Sequence, residues 1–184
     1  MEERRSMDQS GLRAALRDHT AHTHQQLDAL VGEFANAEQY TAFVLSSFRF
    51  RSATEGAASG SGVWEPLALV KDLRDDLDDL GAAVPSTEAP LEMTTRSEKL
   101  GALYVLEGSA LGARLLQKRA EAIGFTPDFG ARHLAQQTGD NGRWKRFLAV
   151  LEDPHLDKNA VLAAAQRVFE IALRINAEAA HECA

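Results

Sequence analysis

The chain has 184 residues, 45% hydrophobic and 26% charged, with a formal net charge of −7, which is enough for one soluble globular domain with a sizeable core. The acidic excess argues against nucleic-acid partners and anionic membrane surfaces, and no run of about 18 apolar residues is present to cross a membrane. The start MEERRSMDQSGLR has no apolar segment of the secretory kind, so a cytoplasmic protein is expected. A first helix is expected from about Gln9 to Val31, with Leu12, Leu16, Thr20, Thr23, Leu27, Leu30 and Val31 on one side and residues 1–8 as a disordered tail. It carries three histidines: His22 projects far from the apolar stripe, whereas His19 and His24 fall on its opposite rims. His24 has Thr20 one turn before it and Asp28 one turn after. Such flanking suits either a metal-ligating imidazole whose second nitrogen needs a partner or an ordinary satisfied rim residue.

The next helix is expected from Ala37 to Glu55, with Tyr40, Phe43, Val44, Phe48 and Phe50 as core. SATEGAASGSG, from Ser52 to Gly62, reads as a mobile loop of small residues. A third helix follows from Trp64 to Leu80, in which Val70, Leu73, Leu77 and Leu80 face inward and Asp75, Asp76, Asp78 and Asp79 form a solvated acidic face; Gly81 ends it.

A long helix starts at Thr94 or Thr95 and ends before Gly124. Leu100, Tyr104, Leu111 and Leu115 fall within about 60° of one another at 100° per residue, an apolar core stripe. Gly101, Gly108 and Gly112 form a second strip beside it, although each interior glycine costs roughly 1 kcal/mol relative to alanine. Two readings account for that cost: close helix packing through small residues, or a bend whose bare backbone lets a flat ligand approach. Short helices are expected at Ala131–Gln137 and over GRWKRFLAVLE, and a last one from Lys158 to Ala180 with Val161, Leu162, Ala165, Val168, Phe169, Ala172 and Leu173 buried. Residues 182–184 are expected to be a disordered tail, and the single cysteine, Cys183, leaves no disulfide framework, no cysteine metal site and no nucleophilic role.

The result is an all-α, single-domain, multihelical fold of six or seven helices, without a strand. No Walker A, GxGxxG or GxSxG motif is present. Helical di-metal carboxylate oxygenases use Glu-x-x-His pairs; EDPH at Glu152–His155 is broken by Pro154, and EAAH at Glu178–His181 lies at the chain's end.

LRDHTAHTHQQLDALV resembles the proximal-helix motif of bacterial haem oxygenases, and YVLEGSALGARLL resembles the distal-helix motif of the same family, in which a glycine-rich bend passes over the haem face where oxygen binds. The two stand in the family's order, and the aromatics and acids of Tyr40–Glu55, WKRFLAVLE and AAAQRVFE extend the likeness over nearly the whole chain. The resemblance implies the haem-oxygenase fold, with His24 as proximal iron ligand, Asp28 as its neighbour, and Gly108 and Gly112 as distal glycines. Thr20, Tyr104 and Phe169 join them as candidates for haem contact. Gly112 is followed by Ala113, where many members have a second glycine. Ser109 stands where animal enzymes place an acid that organises distal water, so water is organised differently here. Arg143, Lys145 and Arg146 are candidates for the haem carboxylates or simply surface charge.

The activity so implied is oxidative cleavage of haem, at once substrate and cofactor, to biliverdin, carbon monoxide and ferrous iron. It uses O2 and electrons from an external ferredoxin or flavin reductase. A bacterial phytochrome is a candidate acceptor of the biliverdin. The rival readings are a non-catalytic haem-binding or sensory protein of the same fold, a di-metal carboxylate oxygenase, and an interaction protein with neither group.

Overall fold

The computed structural model describes residues 2–31 and 34–182, with the side chains of all of these except 2–10, 28, 31 and 182. Among them the regular elements are eight helices: α1 (Glu2–Val31), α2 (Ala37–Ala58), α3 (Val70–Asp79), α4 (Arg96–Gly108), α5 (Ala110–Ala122), α6 (Arg132–Thr138), α7 (Arg143–Val150) and α8 (Lys158–Glu182). The remaining backbone pairing is two isolated bridges from Thr126 to Phe129 and Gly130. Among the described residues no helix is long and apolar enough to cross a membrane. α1 starts at Glu2 and α8 ends at Glu182, inside what the sequence reading made tails; Cys183 lies outside the described residues.

Helix boundaries follow local chemistry. The Thr95 hydroxyl accepts from the Glu98 backbone N–H while the Glu98 carboxylate accepts from Thr95 N–H, a capping box that settles the start of α4. Hydrogen bonds from Thr95 and then Thr94 hold the Glu98 carboxyl down at about 2. Asn36 caps α2 through Gln39 N–H, 2.9 Å away. α2 runs on to Ala58, into the stretch expected to be a loop, because Ala53, Thr54 and Ala58 are buried and small side chains are what that crowded face admits. α3, by contrast, begins only at Val70. Gly81 takes φ of +65° and lets Ala82 N–H return to Leu77 O at 2.9 Å, the glycine stop expected there.

Packing divides the helices into two cores. Leu12 and Leu16 of α1, Leu100, Leu103 and Leu106 of α4, Phe147 of α7 and Val161, Ala165 and Val168 of α8 form the first. Tyr40, Val44 and Phe48 of α2, Leu73 and Leu77 of α3, Ala113 and Ala120 of α5 and Leu134 of α6 form the second. The long helix expected between Thr94 and Gly124 is two helices that part at Ser109, so α4 serves one core and α5 the other. Its apolar stripe breaks at the same place. Leu100 is buried, but Leu111 and Leu115 are 63% and 55% exposed.

The glycine strip divides likewise. A Cβ on Gly101 would lie 2.3 Å from Val161 O and 2.9 Å from Ala164 Cβ, so this glycine is the contact that lets α4 lie against α8. Gly101→Ala should destabilise the fold by about 1–3 kcal/mol, the usual cost of overpacking, measured as a fall in the denaturant midpoint without loss of two-state behaviour.

Candidate active site

Where the two cores meet, a cavity of about 570 Å³ opens. α1 contributes Thr20, His24 and Leu27; α2 contributes Phe43, Ser46, Ser47, Phe50 and Arg51. Tyr104, Val105, Gly108, Ser109, Leu111, Gly112 and Leu116 line it from the α4–α5 junction, His133 and Gln137 from α6, and Phe169, Ala172 and Asn176 from α8. Leu69, Leu73 and Trp144 complete the wall. The lining is mainly apolar with a few polar groups, the composition of a small-molecule site.

Of the expected site residues, His24, Thr20, Tyr104, Phe169, Gly108, Ser109 and Gly112 share this cavity. The His24 imidazole is exposed on α1 and meets Phe169 edge-on, with ring centroids 6.0 Å apart and planes at 67°. His19 and His22 are also exposed but do not line the cavity. Thr20 is buried one turn before His24, and its hydroxyl donates to Leu16 O at 2.8 Å, which leaves the polar atom satisfied. Burial pushes the Tyr104 phenol up, opposed by a hydrogen bond with Thr20 and by the charge of Arg17. The Asp28 side chain is outside the described residues.

The two remaining glycines serve the cavity. A Cβ on Gly108 would touch only the Trp144 ring, at 3.7 Å, and one on Gly112 would meet nothing within 4 Å. Ser109, between them, is tied down: its hydroxyl donates to Leu106 O at 2.7 Å and accepts from Arg51 Nη2 at 3.0 Å and Gln137 Nε2 at 3.3 Å. Arg51 is buried, and burial pulls its guanidinium down to about 10 against the pull of Glu55 and Glu107.

Arg143, Lys145 and Arg146 do not line the cavity. Arg143 instead grips the buried carboxylate of Glu107 through two bonds of 2.7 Å, donates to Glu65 O and lies over the Trp64 ring at 4.9 Å. Trp64 Nε1 donates to the same carboxylate. Lys145 is exposed, and Arg146 pairs with Asp140. The anchoring role expected of Arg143 therefore gives way to a structural one: Glu107 is 3% exposed and needs a counter-charge. Arg143→Ala should cost about 3 kcal/mol by stranding that carboxylate. The thermal midpoint should drop while ligand affinity measured well below it stays the same.

The acidic face expected on α3 is also revised. Asp76 is fully buried and Asp79 is held by Arg132 and by Gly130 N–H at 2.8 Å. Asp76 accepts from His133 Nδ1 at 2.7 Å, from His133 N–H at 3.1 Å and from Arg132 N–H at 3.0 Å. Burial would raise its carboxyl, but these bonds outweigh that and hold it below the usual range. A sequence signal existed. Asp76 stands three residues after Leu73 and four before Leu80, on the rim of the apolar stripe. Arg51, His133 and Gln137 carry no comparable local mark.

No family model matches the chain. The chain is 34% identical over 159 residues to "Heme oxygenase PigA" of Pseudomonas aeruginosa, covering 80% of each sequence. It is 36% identical over 117 residues to a "Heme oxygenase" of Xanthomonas campestris pv. campestris, covering 60% of this chain and 67% of that one. The crystal structure of the NO- and CO-bound heme oxygenase from Neisseria meningitidis has a similar fold, with a TM-score of 0.72 at 24% identity over 91% of each chain.

Proposed function

The chain belongs to the haem oxygenase family, and from that premise we propose that haem occupies the cavity between the two cores, with His24 as the iron ligand on the α1 side and the bare backbone of Gly108 and Gly112 over the opposite face. The protein is a haem-degrading enzyme. What carries the site assignment is that Gly112 borders the same cavity as His24 and yet a Cβ there would meet nothing within 4 Å. Packing gives no reason for that glycine; a flat ligand that must lie close to backbone does.

The residues present fit haem. The volume lies in the range of roughly 300–1,000 Å³ usual for ligand pockets. Phe169, Leu27, Phe50 and Val105 supply apolar wall for a porphyrin, and the exposed Leu111 borders the space such a ring would cover. A neutral imidazole on one side leaves the other face of the iron open. Haem brings the redox-active iron and is itself the skeleton that O2 opens, giving biliverdin, carbon monoxide and ferrous iron. The chain's own part is to hold the ring by His24, to keep bulky side chains off the open face through Gly108 and Gly112, and to fix that wall by the bonds that converge on Ser109. Asp28, one turn beyond His24 in the sequence, would partner the imidazole and fix its tautomer.

For the haem carboxylates Arg17 is a further candidate: like Arg143 and Lys145 it does not line the cavity, but it is exposed on α1 and its charge acts on the Tyr104 phenol at the cavity wall. Electrons would come from a ferredoxin or flavin reductase, and the product could pass to a bacterial phytochrome; the two cores act as one domain around one site. Among the described residues no group of three or more His, Cys, Asp and Glu side chains is placed to hold a metal ion, so nothing favours a di-metal site. The test is direct. Protein loaded with one equivalent of haemin, given O2 and a reductant, should yield a green bilin product; stable haem binding with no bilin would make the protein a haem-binding sensor.

A further inference from the structure

Of the residues that line the cavity, Arg51 of α2 alone is an arginine or lysine, and it is 4% exposed. Its guanidinium makes two bonds to the protein, both from Nη2 and both to neutral oxygens: Leu106 O at 3.2 Å and Ser109 Oγ at 3.0 Å. Among the described residues Nε and Nη1 have no hydrogen-bond partner, yet neither is one of the fully buried unpartnered atoms, which are Arg13 Nε, Ser52 Oγ and His133 Nε2. Both therefore keep accessible surface, and the open space that Arg51 borders is the cavity. Ser109 stands between Gly108 and Gly112, so its bond fixes the guanidinium on the glycine side.

The carboxylates whose charge reaches Arg51 are spent elsewhere. Glu55 accepts from Leu69 N–H at 2.9 Å, and Glu107 is held by Arg143 and Trp64. Burial lowers the guanidinium more than these two carboxylates raise it, but at about 10 it is still a cation at neutral pH. Taking a charge out of water is costly unless an opposite charge and hydrogen bonds offset it. Arg51 has the hydrogen bonds of Nη2 and no carboxylate in contact, so what it lacks is a counter-charge on the side where its remaining donors are open.

We infer that Arg51 makes the glycine side of the cavity a binding site for a small monovalent anion, which lies on the open face of the haem and accepts hydrogen bonds from the guanidinium. The inference rests on the haem reading above. A neutral donor would serve any ligand there, whereas a guanidinium selects by charge. The same charge has a use in turnover. Electrons delivered to haem and O2 bring negative charge onto that face, and Arg51 is a cation fixed in place beforehand, so meeting that charge needs no reorganisation.

The probe is azide, titrated into the ferric haem complex, with imidazole as the uncharged comparison. In Arg51→Gln, which keeps an amide donor and loses the charge, azide affinity should fall by roughly 10- to 100-fold, the range for losing a hydrogen bond to a charged group, while imidazole binds about as before. Arg51→Lys, which keeps the charge, should retain most of the azide affinity. Unchanged azide affinity in Arg51→Gln, or azide and imidazole weakened alike, would overturn the inference. Weakened haem binding in Arg51→Gln with normal azide affinity in the haem that remains would also overturn it, and would give the cation to a haem carboxylate. A wild type that binds no haemin would instead overturn the haem reading. Should Arg51→Gln not fold, a crystal structure of the wild-type azide complex decides the matter: azide is expected within hydrogen-bond distance of Arg51 Nε or Nη1, and azide out of their reach would refute the proposal.

Discussion

His24→Ala should leave a folded protein that no longer ligates haem iron through imidazole. The side chain is exposed on α1, so its removal opens no cavity in either core, and alanine is the better helix former by a few tenths of a kcal/mol. Unfolding should be unchanged or slightly later. Haem affinity should fall by more than the roughly 10- to 100-fold that loss of a mere partner of a metal ligand costs, and the ferric spectrum should lose its histidine-ligated form. Added imidazole should restore part of that spectrum by filling the space the side chain leaves. His19→Ala is the control, since His19 is exposed on the same helix but does not line the cavity. An unchanged spectrum in His24→Ala together with an altered one in His19→Ala would move the ligand to His19 and unseat the site described here.

How far the site could be read from the chain depended on whether its parts are local. His24 with Thr20 four residues before it, and Gly108 with Gly112 four residues on, are single-turn relations, and periodicity displays them. The break at Ser109 was foreshadowed as a bend, but which helical half serves which core is a tertiary matter. Leu111 and Leu115 have the spacing of core residues and are nonetheless exposed. Asp76 looked solvated because it sits in a run of acids, and only α6, folded back from 56 residues away, supplies the N–H groups that bury it. The pairing of Arg143 escaped the sequence for the same reason. Its partner Glu107 stands 36 positions earlier, in a motif whose glycines drew the eye. Long-range pairing of charges leaves no trace in local pattern, and here it decides which cations are free to meet a ligand.

Gly112→Leu separates the two accounts of the glycine strip. If the strip is close helix packing through small residues, a leucine there should overpack. The structure changes that expectation, because the first atom added meets nothing within 4 Å and Gly112 is not among the glycines with positive φ. The apoprotein should therefore be no less stable, and a gain of up to about 1 kcal/mol is expected from replacing a helical glycine by a good helix former. The loss falls on function alone: a branched side chain would occupy the space proposed for haem beside the backbone of α5. Haem affinity should drop, and bilin formation by the haem that still binds through His24 should fall steeply or yield a different biliverdin isomer. Gly101→Ala should behave in the opposite sense, destabilising the α4–α8 contact while the cavity wall keeps its shape. Denaturation midpoints and bilin yields on the two variants form a crossed pair, and each account of the strip predicts a different cell of it to be empty. A Gly112→Leu protein that is less stable yet opens haem normally to the same isomer would make Gly112 a packing residue like Gly101.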